Sequence, residues 1–214
     1  LRTASSELLY DFAMRPSTLR LILRTAGDTR EIKQEERLRA LVVLMSLAQS
    51  QARVRRLVRA GVMRILVDGM RDTDNKEVCI HAGAILSALI SHPDDKDAQR
   101  CRAKAKAHGV LEVAYETLML TDSAFEESGG RTRLAALHSA GCTKRIDATI
   151  VAICPEIAKT YTMDIEAHDR MIRMGFLRAL LSAIRQSPTN LDMVRAAMEA
   201  MVRLCTYISI LTII

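Results

Sequence analysis

Four stretches of this chain carry the same apolar frame: RALVVLMSL at 39–47, HAGAILSAL at 81–89, RIDATIVAI at 145–153 and AAMEAMVRL at 196–204. In each, apolar residues stand at spacings of four and then three: Ala40, Leu44 and Leu47; Ala82, Leu86 and Leu89; Ile146, Ile150 and Ile153; Ala197, Met201 and Leu204. That spacing gathers each trio on one helix face. One stripe cannot bury itself, so a chain that repeats it must stack its helices on one another. Composition agrees: Phe, Tyr and Trp make up 3% of the 214 residues, and 9 Gly and 4 Pro are too few for a β-sandwich or barrel. An apolar fraction of 49% supplies a core and argues against disorder. The fold class read from the sequence is all-α.

A second element recurs between these helices, a Gly followed by an amphipathic run: Gly61-Val-Met-Arg-Ile-Leu-Val, Gly109-Val-Leu-Glu-Val-Ala-Tyr and Gly175-Phe-Leu-Arg-Ala-Leu-Leu. A Gly there takes positive φ cheaply and turns one helix sharply into the next. Helices are predicted near 4–13, 17–26, 32–49, 51–59, 62–71, 75–91, 94–107, 110–120, 131–139, 143–160, 164–174, 176–186 and 190–206. Caps are expected at Ser17, at Asp74 or Asn75, at Asp94-Asp95 following Pro93, and within Pro188-Thr189-Asn190. Matching positions Leu47 and Leu89 lie 42 residues apart, within the ~40–47 residue period of helical repeats. Leu89 to Ile153 is 64 and Ile153 to Leu204 is 51. The excess of about 20 residues falls at 121–142, an insertion loop in the third unit that holds Glu126, Glu127 and the Gly129-Gly130 pair.

The unit of short helix, Gly, helix, loop and long helix resembles the armadillo repeat family, with HEAT repeats as a near neighbour. The resemblance rests on Gly61, Gly109 and Gly175 and on the Ala/Leu-rich long helices, and it covers most of the chain. It implies a right-handed superhelical solenoid of armadillo-type three-helix repeats, about four units, the first lacking its opening helix. Residues 1–214 then read as a single armadillo-like repeat domain. The apolar close at Tyr207–Ile214, which asks for a covering neighbour, suggests a fragment of a longer protein.

Nothing in the sequence carries catalysis. There is no G-x-S-x-G, P-loop, H-E-x-x-H or G-x-G-x-x-G. His81 near Cys79 and His138 near Cys142 lack the second pair that a zinc site needs, and no cofactor is expected. Five scattered Cys in a chain this long indicate a reducing compartment, and a cytoplasmic location is the expectation; Cys154 on an apolar face reads as a small buried hydrophobe. The apolar tail is too short to span a bilayer.

The resemblance places function in a concave groove lined by the long helices. The face flanking the core trios carries Arg39, Val42 and Ser46; His81, Ala84 and Ala88; Arg145, Ala148 and Ala152; then Ala196, with Arg195 taking the basic role, Glu199 and Arg203. Small middle residues let an extended backbone approach, and the arginines meet acidic side chains. The expectation is a non-enzymatic protein–protein interaction scaffold that binds an extended, acidic peptide segment. The alternative is a chaperone-like or myosin-binding module that holds apolar client segments. Oligomeric state is not legible. Armadillo proteins that carry nuclear import signals present Trp and Asn along this face; here Ser46, Ala88, Ala152 and Arg203 stand in the Asn row and there is no Trp, which speaks against such cargo. The run Arg53-Val-Arg-Arg-Leu-Val-Arg59 reads as a solvated outer face that leaves peripheral contact with anionic lipid open; nucleic acid is disfavoured for want of stacking aromatics.

Overall fold

The computed structural model describes residues 2–30, 33–72, 74–91, 95–119 and 148–211, and among them all regular structure is helical. The helices gather into two compact units, Leu1–His108 and Gly109–Ile214.

The first unit holds α1 (Arg2–Ala13), α2 (Pro16–Ala26), α3 (Gln34–Ala48), α4 (Gln51–Arg59), α5 (Val62–Arg71), α6 (Lys76–Ile90) and α7 (Asp95–Ala107). Helices of like position pack on each other: α2 on α5, α3 on α6, and α4 on α7. The recurring stretches explain why. Ala40, Leu44 and Leu47 of α3 and Ala82, Leu86 and Leu89 of α6 are all buried, so equal stripes one period apart supply matching surfaces. Gly61 takes φ 89°, the left-handed turn that lets α4 end and α5 begin. Asn75 caps α6, its Oδ1 accepting from the Val78 N–H at 3.4 Å. The expected cap at Ser17 is displaced: Pro16 opens α2, and Arg15 precedes it in extended backbone without a side-chain bond, because Pro pre-sets the first helical φ and needs no N–H partner.

The second unit holds α8 (Val110–Met119), α9 (Ala148–Tyr161), α10 (Ile165–Met174), α11 (Phe176–Gln186) and α12 (Leu191–Leu211). Again like meets like, α8 on α11 and α9 on α12. Gly175 turns α10 into α11 at φ 83°, and Gly109 shows φ 82° at the start of this unit. Asp164 Oδ1 accepts from the Ala167 N–H at 3.1 Å, and Asn190 Oδ1 from the Met193 N–H at 3.2 Å. In the core trios, Ile150, Ala197 and Leu204 are buried, whereas Ile153 and Met201 are half-exposed. The buried faces of α9 and α12 turn instead toward Cys154, Ile157 and Ala158 and toward Met193, Ala196 and Ala200. The helix predicted at 131–139, the insertion at 121–142 and Ile146 lie outside the described residues.

Candidate functional site

On α3, Arg39 and Val42 are exposed and Ser46 is half-buried; on the adjacent α6, His81 and Ala84 are half-buried and Ala88 is exposed. The two rows therefore sit on neighbouring helices, on the side away from the buried trios. Their polar groups are satisfied locally. Arg39 pairs with Glu35 one turn earlier, Ser46 Oγ donates to the Val42 carbonyl at 3.2 Å, and His81 Nδ1 lies 2.8 Å from the Glu77 carbonyl. In the second unit, Arg195 is exposed and bonds Asp192 at 3.0 Å, while Arg203 bonds Glu199, which also faces Lys159 at 3.7 Å. Ala152 is half-buried. Arg145 lies outside the described residues, as does the side chain of Ala148. Ala196, read from sequence as part of the exposed face, is buried instead, and the exposed basic residue beside it is Arg195.

These arginines are thus each held by an acid three or four residues away on their own helix. Such exposed pairs are worth ~0.2–1 kcal/mol, so an incoming carboxylate displaces the resident one at small cost. The same helices also expose apolar side chains: Val42 at 49% and Val43 on α3, Met198 and Val202 at 57% on α12.

The four-arginine run, read as a solvated outer face, keeps Arg55, Arg56 and Arg59 exposed and also makes contacts that its sequence does not show. Arg55 Nε lies 2.8 Å from both carboxylate oxygens of Asp97, which is 1% exposed, and Arg100 approaches the same group at 3.4 Å. Arg56 Nη2 donates to the Met14 carbonyl at 3.0 Å, and the Arg53 guanidinium stands 4.2 Å over the Tyr10 ring. The run is exposed at its heads and structural at its contacts, because α4 is flanked by α7 on one side and by the α1–α2 junction on the other. Arg37 was not singled out in the sequence. It is 3% exposed, donates from Nε to the Ala26 carbonyl at 3.1 Å and pairs with Asp72, joining α2, α3 and the end of α5.

Among the described residues, no three His, Cys, Asp or Glu gather as metal ligands, and no helix is long and apolar enough to cross a membrane. Cys79, Cys101 and Cys154 are buried and Cys205 is exposed. Burial pushes the Cys79 thiol up to about 12, with Asp72 adding to the effect, and Cys101 up to about 11, so neither is a nucleophile at neutral pH.

Neither a protein-family model nor a curated protein matches this sequence. Among solved structures, the chain is similar to a crystal structure of an engineered protein, at 18% identity and TM-score 0.51, over 92% of this chain and 87% of that one. A second engineered protein matches at 18% identity and TM-score 0.47, over 87% of this chain and 47% of that one. A designed armadillo repeat protein matches at 15% identity and TM-score 0.29, over 87% and 99%. Identities this low speak to the fold alone, which is helical and repeat-like.

Proposed function

We propose that this chain is a non-enzymatic protein-interaction scaffold of about four armadillo-type units, taking an extended acidic segment of a protein partner on the exposed faces of its long helices. The observation that carries this reading is the pair of accessible rows on adjacent helices α3 and α6, which carry exposed Arg39 and Ala88 and half-buried Ser46 and Ala84. Small side chains admit a peptide backbone, and a guanidinium exchanges its own-helix acid for a carboxylate of the partner. On the second unit, Arg195, Glu199 and Arg203, with Arg145 and Ala148, are proposed for the same role. Recognition by exposed charge steers encounter and weakens with salt.

The test uses a fluorescein-labelled oligoglutamate peptide and fluorescence anisotropy. Affinity should fall steadily from 50 to 500 mM NaCl. Arg39→Glu, and separately Arg195→Glu with Arg203→Glu, should each weaken binding at least about tenfold with the melting temperature unchanged, since about 1.4 kcal/mol is lost when exposed attractive contacts become repulsive. Binding that ignores both salt and these changes would overturn the acidic-segment reading. The alternative, a module that holds apolar client segments, is favoured by exposed Val42, Val43, Met198 and Val202. It expects salt-insensitive capture of a permanently unfolded protein such as reduced, carboxymethylated α-lactalbumin, lost on Val42→Asp.

A further inference from the structure

The surface with the strongest unassigned chemistry lies on another side of the first unit, where α4 and α7 run past each other and leave a groove of about 760 Å³. Its lining is ordered in rows of four-residue spacing. Exposed Ala103 and Ala107 on α7 supply the apolar wall, and Val54 and Val58 on α4 lie buried at its base. Arg55 and Arg59 border it from α4, and Arg100 and Lys104 border it from α7. Residues four apart share a helix face, so each helix turns a cationic row to the groove and α7 adds an exposed apolar one. The one carboxylate in the lining, Asp97, is buried and already held by Arg55 and Arg100. Arg59 and Lys104 are exposed and engaged by no acid among the described residues.

This groove also sits where the charge of the protein is concentrated. Residues 1–108 hold 20 Lys and Arg against 13 Asp and Glu, a net +7, while residues 109–214 hold 11 against 12, a net −1, so the formal +6 of the chain belongs to the first unit. Arg59 also lines a second groove, of about 730 Å³, between α2 and the α4–α5 junction, which Arg20, Arg24 and Arg56 border. The basic surface is therefore continuous across two concavities.

We propose that the α4–α7 groove docks an acidic amphipathic helix of a protein partner, with an apolar row seated against Ala103 and Ala107 and flanking carboxylates on Arg59 and Lys104. The groove's shape and lining choose this occupant. A trough between two helices fits a third helix laid along it and offers little to a flat bilayer. No aromatic side chain stands in the lining, so nucleobases find nothing to stack on. Helix α4 is 9 residues long, about 13 Å at 1.5 Å per residue, which matches two to three turns of a docked helix with anchors at i, i+4 and i+7.

The probe is a labelled 14-residue peptide with leucines at i, i+4 and i+7 and glutamates on either side, compared with a scrambled peptide of the same composition. The designed peptide should bind at least tenfold more tightly than the scrambled one. Arg59→Glu with Lys104→Glu should weaken it at least thirtyfold, and the neutral pair Arg59→Gln with Lys104→Gln should fall between, which keeps the test valid if charge reversal disturbs folding. Arg39→Glu should leave this affinity unchanged, separating the groove from the α3–α6 face. Equal binding of the scrambled peptide, or indifference to both pairs of substitutions, would overturn the proposal. So would binding of phosphatidylserine vesicles or a dT oligonucleotide that depends on Arg59 and Lys104 while the designed peptide fails to bind.

Discussion

Three buried thiols and a buried guanidinium mark the limits of reading single residues from a linear pattern. Cys154 was legible as core because it stands among apolar residues at helical spacing, and the same logic holds for Cys79, whose Sγ donates to the Met70 carbonyl at 3.2 Å. Arg37 was not legible, since a charged residue near the start of a helix reads as surface until the chain brings the Ala26 carbonyl and Asp72 around it. The thiols carry a pH consequence. With folded values pushed up to about 12 and about 11 from an ordinary value near 9, Cys79 and Cys101 stay protonated in the fold where the unfolded chain ionises. Their contribution to stability is complete below pH 9 and is lost as pH rises toward 11–12. Urea midpoints should therefore fall between pH 8.5 and 10.5. Cys79→Ala should flatten that fall, by up to about 1.4 kcal/mol per pH unit for the one thiol removed. A pulse of iodoacetamide on the native protein at pH 8 should modify Cys205 and spare Cys79, Cys101 and Cys154.

At the scale of elements, most boundaries could be read because the punctuation is strong. Only Gly takes φ near 85° cheaply, so Gly61, Gly109 and Gly175 announce their junctions. Long-helix faces were readable where a helix packs as its trio implies, in α3 and α6, and less so in α9 and α12, whose buried faces turn past Ile153 and Met201. Gly69 escaped notice because it lies inside a helix rather than at its end. A Cβ at Gly69 would stand 2.8 Å from that of Ala82, so its absence sets the approach of α5 to α6, whereas a Cβ at Gly61 meets nothing within 4 Å. The two glycines should therefore fail differently. Gly61→Val should cost about 1–2 kcal/mol through backbone strain, and Gly61→Asn clearly less because Asn tolerates left-handed backbone. Gly69→Ala, favourable by helix propensity, should instead cost about 1–3 kcal/mol through overpacking. Chemical denaturation of the three variants checks the order.

For the whole molecule, the 42-residue period seen between Leu47 and Leu89 reappears where no pattern of single residues shows it. Arg55 bonds Asp97 and Arg56 bonds the Met14 carbonyl, and both contacts join positions 42 apart. The period could be counted from the sequence; that side chains span it could not, because the partners share neither a helix nor an apolar stripe. The contacts also explain why the first compact unit ends at His108, beyond α6, and takes in α7.

For anyone cutting this protein, the Arg55–Asp97 bond means that the repeat visible in the sequence and the compact unit that ends at His108 are out of step. Stopping the chain after Ile90, at the natural close of a long helix, leaves Arg55 without Asp97 and strips the cover from Val54 and Val58. Stopping after His108 keeps both. The shorter piece should melt at lower temperature and over a broader range than the longer one, although each ends at a helix terminus, and calorimetry of the two would show it.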